Sequence, residues 1–121
     1  MISRTALMAA AARAAHLLVD SPPYLLDDPV ATRMLGARAG ELLDYHRLHG
    51  THLVLSAARA QVTTRTRVTE SRLRASGADQ YVLLGAGLDS FAHRSPVRCA
   101  FSRSTTRSRR NTRNPLPRRV R

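Results

Sequence analysis

The sequence predicts an α/β fold in which a helical block precedes the first strand and glycine turn of a parallel, nucleotide-binding type of sheet. Three observations carry that expectation. Helical patterning runs with few breaks from Arg4 to Ser76. A short apolar run, Gln80-Tyr81-Val82-Leu83-Leu84, then opens directly into Gly85-Ala86-Gly87, as a buried parallel strand does where it meets a ligand turn. Beyond Pro96 no periodicity of either kind survives, so the sheet reads as truncated. The expected organisation is a helical block over 1–78, strand and glycine turn over 79–97, and an Arg-rich tail over 98–121.

Each element has a local cause. Ser3 caps a helix from about Arg4 to Val19, where Leu7, Met8 and Leu18 stand among alanines that suit close helix packing. Asp20-Ser21-Pro22-Pro23 ends it, because proline cannot continue a helix and biases its predecessor to extended geometry. Asp27-Asp28-Pro29 restarts one, with Asp28 as cap and Pro29 at the first helical position. Val30, Met34 and Leu35 follow at helical spacing, with an end near Gly36 or Gly40. Glu41 to His49 reads as a short helix stopped by Gly50. Thr51 to Ser76 is the longest helical pattern, with Leu53, Ala57, Ala60, Thr64, Val68 and Leu73 as its apolar face and Gly77 as left-handed terminator. Threonines within 62–69 lower helix propensity, so packing must help there.

Composition bounds the function classes. All 20 basic residues are Arg, which a GC-rich coding sequence explains without selection for guanidinium chemistry. From Arg98 onward there are nine Arg and no acid, whereas residues 1–97 hold eleven Arg against eight acids. The body is therefore an ordinary domain, and the basicity belongs to the tail. A small nucleic-acid-binding protein with an Arg-rich arm is the alternative function, since such a tail binds phosphates in a salt-dependent way. The tail interleaves only one aromatic, Phe101, and no recognised motif precedes it, so no specific nucleic acid is expected. The single Cys99 excludes an internal disulfide and a Cys-based metal pattern, and it fits a cytoplasmic location. The apolar stretch from Ala6 to Val19 is interrupted by Arg13 and His16 and is too short to span a bilayer, so neither a leader nor a membrane partner is expected. His46, His49 and His52 recur at spacings of three, but Gly50 breaks the helix between them and no acid joins them, so no metal site is expected.

Chemistry concentrates in Leu84-Gly85-Ala86-Gly87-Leu88-Asp89-Ser90. The first glycine permits a tight turn, and the second lets the backbone lie against a ligand. Taken alone, the pair leaves open a dinucleotide site, whose third glycine would fall at Ser90, or an ordinary loop. The segment from Gln80 to Ser90 resembles the first cofactor motif of the leucine carboxyl methyltransferase-like family, which includes polyketide O-methyltransferases and many actinobacterial methyltransferases that use S-adenosyl-L-methionine. Three more blocks are similar to that family, in the same order. They are Ser3-Arg4-Thr5-Ala6-Leu7 with Arg13-Ala14, Leu26-Asp27-Asp28-Pro29-Val30-Ala31, and Arg65-Thr66-Arg67-Val68. The likeness runs to Arg94.

That resemblance implies a class I, Rossmann-like fold and methyl transfer from S-adenosyl-L-methionine to an oxygen nucleophile, carboxylate or hydroxyl, on a small-molecule acceptor. It assigns Arg65 to the cofactor carboxylate, which a guanidinium matches bidentately, and Gly85, Ala86 and Gly87 to the cradle. Asp89 is expected either to hold the turn by accepting backbone N–H bonds or to approach the cofactor ammonium. Taken alone, Arg65 and Arg67 read as a solvated helix face and Asp89 as a helix cap. Departures follow the turn. Ser90-Phe91-Ala92-His93-Arg94 replaces the family's Thr-Arg-Ala-Tyr-Arg, so His93 stands where an aromatic packs. No Asp or Glu follows Asp89, although the family continues to an acid that bonds the ribose hydroxyls at the end of its second strand. GC-rich codons for the tail from Ala100, read one base earlier, yield Val-Leu-Glu-Val-Asp-His-Pro, a motif of that type. The tail is therefore expected to be frameshifted, and disordered as written, since nine like charges with few apolar groups cannot offset the entropy of ordering. The 121-residue chain is expected to be an inactive fragment, and no catalytic residue is assigned.

Overall fold

The computed structural model describes residues 2–95 and 99–102. Its elements are α1 (Arg4–Val19), α2 (Val30–Met34), a 3-10 turn (Gly36–Arg38), α3 (Ala39–His49), α4 (Leu53–Ser76), β1 (Tyr81–Leu84), α5 (Phe91–Arg94) and β2 (Cys99–Ser102). Helix α1 is the central member and packs against α2, α3 and α4. Its alanines make this possible: Ala10, Ala11, Ala14 and Ala15 are all buried in one cluster with Ala31, Leu35, Leu43 and Leu88. Small side chains let helix axes approach closely, so this core rests on backbone proximity more than on large apolar groups.

The expected boundaries hold where the signal is a cap. The Ser3 side chain accepts a hydrogen bond from the Ala6 N–H at 3.1 Å, opening α1. Asp28 accepts from the Ala31 N–H at 3.1 Å, opening α2. Gly77 closes α4 in the left-handed conformation, φ +66°. Helix α3 starts two residues before Glu41 and runs through Gly40.

The expected face of α4 is wrong. Its buried residues are Leu55, Arg59, Thr63 and Glu70, while Leu53 is 80 % exposed and Ala57, Ala60, Thr64 and Val68 also face outward. The reason is charge. Arg59 bonds both oxygens of Asp20 at the end of α1, through Nε at 3.2 and 3.0 Å and a terminal nitrogen at 2.9 Å, and it also donates to the Gly50 carbonyl at 2.8 Å. Thr63 turns its hydroxyl back onto the Arg59 carbonyl at 2.7 Å, which satisfies a buried polar group inside the helix. Burial raises the Asp20 carboxyl, but the hydrogen bonds from Arg59 and His16 outweigh that and hold it below the ordinary range.

The strand expectation also changes. Cys99–Ser102, placed by sequence in the tail, forms a second strand parallel to β1, with Tyr81 opposite Cys99 and Leu84 opposite Ser102. The remainder of the tail reading, residues 103–121, lies outside the described residues. Strand β1 is only half covered: Val82 is 61 % and Leu84 78 % exposed. A buried parallel strand has apolar neighbours on both faces, and this pair does not supply them. The described part is thus mostly helical, with a two-stranded parallel pair.

Candidate functional site

At the end of β1 the chain reverses through Gly85 and Gly87, with φ +67° and +55°, backbone geometry that favours glycine. The two glycines differ in surroundings. A Cβ at Gly85 would meet nothing within 4 Å, whereas one at Gly87 would lie 3.2 Å from the Ala6 Cβ of α1. Gly85 therefore faces open space, and Gly87 lets the turn seat against α1. The sequence reading gave the second glycine to ligand approach; here its immediate neighbour is a helix. The Asp89 N–H closes the turn on the Ala86 carbonyl at 2.8 Å, and Asp89 Oδ1 accepts from the Phe91 N–H at 2.9 Å. Of the roles expected for Asp89, accepting a backbone N–H at the start of α5 is the one this geometry displays.

A cleft of about 280 Å³ lies between α4, α1 and the strand end, lined among others by Arg65, Glu70, Tyr81, Asp89 and Phe91. Arg65 and Asp89, singled out separately from the sequence, come together here. Gly85, Ala86 and Gly87 do not line the cleft; they connect to it only through the turn that carries Asp89. Among the charged groups of this cleft, Arg13 pairs with Asp28 and Glu70 pairs with Arg94 and Arg74, while Arg65 takes part in no ion pair among the described residues. The exposed Arg65 guanidinium and the half-buried Asp89 carboxylate on one cleft are complementary to a zwitterionic amino-acid group. The volume sits just below the about 300–1,000 Å³ usual for small-molecule sites, enough for such a group and short of a whole nucleoside conjugate. On this donor set the residues present fit the amino-acid end of S-adenosyl-L-methionine. At the far end of β2, where an acid would take ribose hydroxyls, the chain continues Ser102-Arg103-Ser104 and has no acid.

Behind the turn lies a chain of buried charges that sequence reasoning missed. Asp28 is completely buried. Its carboxylate accepts from Arg13 Nε at 3.3 Å, pairs with Arg94 Nε at 3.2 Å, and takes a short hydrogen bond from the Ser90 hydroxyl. Arg13 also donates to the Leu88 carbonyl. Arg94 donates in turn to both oxygens of Glu70 on α4. Burial works against the Arg94 charge, yet Glu70 and Asp28 overcome it and hold the guanidinium more firmly protonated than usual. The signal was available: Arg13 is an ionisable residue flanked by alanines on both sides, and such a residue, when buried, needs a partner.

Phe91 fills the space behind the turn, 3 % exposed and edge-on to the Tyr81 ring at 5.6 Å, while His93 lies exposed. The three clustered histidines go separate ways. His46 is buried, His49 lies tilted against the Tyr45 ring at 5.1 Å, and His52 caps α4 by accepting from the Val54 N–H at 3.3 Å. Among the described residues no helix is long and apolar enough to cross a membrane, and no three His, Cys, Asp or Glu side chains cluster as a metal site.

Comparison with known proteins adds one finding. The family described as leucine carboxyl methyltransferase matches residues 6–101, well over half of the chain. No curated protein and no solved structure matches significantly.

Proposed function

The chain belongs to the leucine carboxyl methyltransferase family, whose methyltransferases generally use S-adenosyl-L-methionine, and from that premise we propose that it carries the amino-acid half of such a cofactor site. Arg65 would hold the carboxylate, Asp89 would face the ammonium, and Gly85-Ala86-Gly87 would pass beneath. The observation that carries this reading is that Arg65, which takes part in no ion pair among the described residues, and Asp89 line one cleft beside the turn. When bound, the cofactor supplies a sulfonium methyl for an oxygen nucleophile, carboxylate or hydroxyl, of a small-molecule acceptor. What the protein contributes to that reaction is in-line positioning and exclusion of water from the nucleophile.

On this reading the 121-residue chain alone transfers no methyl group at a useful rate. The ribose anchor is absent from the end of β2, and hydrogen bonds to charged groups contribute about 1.5–3 kcal/mol each. Two such losses lower affinity by a factor of about 10² to 10⁴. Calorimetric titration of the purified chain with S-adenosyl-L-methionine tests this: no saturable heat in the micromolar range is expected. Micromolar binding would overturn the fragment part of the proposal. A cytoplasmic protein without a specific nucleic-acid or membrane partner completes the reading. The nucleic-acid alternative rests on the Arg-rich tail, most of which lies outside the described residues.

A further inference from the structure

We propose that Asp28 is a positioning residue for the glycine turn: through Arg13, Ser90 and Arg94 its buried carboxylate holds residues 88–94 against the helical block and so fixes where Asp89 meets the cleft. The inference rests on the reading that this cleft takes the amino-acid end of the cofactor.

A helix cap needs one side-chain oxygen for one backbone N–H, and Asn or Ser serves as well as Asp. Asp28 does more than that. It caps Ala31, and the same carboxylate receives Arg13, the Ser90 hydroxyl and Arg94 while wholly shielded from solvent. These partners come from three directions. Arg13 belongs to α1 and with its other arm grips the carbonyl of Leu88, the residue immediately before Asp89. Ser90 immediately follows Asp89. Arg94 ends α5 and continues the chain of charges to Glu70 on α4, the helix that also carries Arg65. Residues on both sides of Asp89 are therefore tied to the carboxylate of Asp28 or to its Arg13 partner. The segment's other fixed points are Gly87 against Ala6 and the buried side chains of Leu88 and Phe91; beyond these it hangs from a two-stranded pair. The charges of buried Arg13, Asp28 and Glu70 and of half-buried Arg94 sum to zero, which is what makes their burial tolerable.

The test separates positioning from bulk stability and needs no ligand. Asp28→Asn keeps the cap and removes the charge, which leaves Arg13 uncompensated, so this variant loses stability throughout. The double variant Asp28→Asn with Arg13→Gln restores charge balance, because Arg94 and Glu70 still neutralise each other. Thermal midpoints and residue-resolved amide hydrogen exchange are measured on the 121-residue chain. The double variant is expected to regain most of the lost midpoint, yet its Asp89 amide should exchange about tenfold faster than in the unsubstituted chain while α1 and α4 amides return to their original rates. Ser90→Ala, which removes no charge but deletes the hydroxyl that Asp28 and Arg94 share, should accelerate the same amide about threefold, with smaller changes at the α1 and α4 amides. A purely structural role predicts uniform changes across α1, α4 and the turn. Unchanged exchange of Asp89 in a folded double variant, or in Ser90→Ala, overturns the proposal. Absence of any response of the unsubstituted chain to S-adenosyl-L-homocysteine counts against the cofactor reading alone.

Discussion

Replacing Asp20 by Asn should destabilise the chain more than replacing Arg59 by Met, although both remove the same ion pair. The asymmetry comes from burial. The Arg59 side chain is 4 % exposed and that of Asp20 30 %. Asp20→Asn strands a buried guanidinium whose one remaining acceptor is the Gly50 carbonyl, and breaking a buried pair in this way costs about 3–5 kcal/mol. Partial exposure of Asp20 puts the expected loss near the lower end, about 3 kcal/mol. Arg59→Met leaves a carboxylate that keeps His16 at 2.8 Å and can take water on its open side, so the cost is one charge-assisted contact, about 1.5 kcal/mol. For a domain of this size 1 kcal/mol moves the midpoint by about 4–8 °C, so the two variants should separate by at least about 6 °C. The double variant should lie close to Arg59→Met alone, since replacing a whole buried pair is often nearly neutral. Thermal and urea unfolding followed by circular dichroism measures all three. If Asp20→Asn proved no more costly than Arg59→Met, Arg59 would not be buried as described. Because the folded Asp20 pKa lies below its ordinary 3.8, the stability from this pair is complete above that value and is lost as pH falls through the lower, folded value.

Three further outcomes are expected. Gly87→Ala should cost more than Gly85→Ala: both force a side chain into a left-handed backbone, at about 1–3 kcal/mol, but only Gly87 also meets Ala6, and the difference is read from thermal midpoints. Arg65→Met should leave stability within about 0.5 kcal/mol, as for an exposed position, while abolishing any NMR response to S-adenosyl-L-homocysteine. Burial and the nearby Arg59 charge push the His46 pKa below 6.5, so the unfolded chain binds the proton more readily and stability should fall as pH drops through that value. A His46→Gln variant compared across the same pH series should lack that part of the slope.

What the sequence made legible was what local chemistry determines. Ser3, Asp28 with Pro29, and Gly77 mark helix ends because each satisfies or terminates backbone hydrogen bonding within a few residues. The alanines of α1 announced close packing, and the strand-to-glycine junction announced the turn. Illegible features were those decided by distant partners. Helix α4 buries Arg59 and Glu70 because Asp20 and Arg94 wait for them 39 and 24 residues away, and a search for an apolar stripe chooses the opposite face. Cys99–Ser102 carries no period of its own and becomes a strand by pairing with β1. Asp28 was legible as a cap, but its tie to Ser90 spans 62 residues. For the site, Arg65 and Asp89 could be singled out by motif, whereas their sharing of one cleft required the fold.

The most direct test of the central claim is an NMR titration of the isotopically labelled 121-residue chain with S-adenosyl-L-homocysteine. The account predicts that the amides of 85–90 and those of α4 around Arg65 move together, with a midpoint of about 1 mM or weaker, some 4 kcal/mol or less of binding free energy. Shifts confined to other parts of the chain, or none at millimolar ligand, would contradict it.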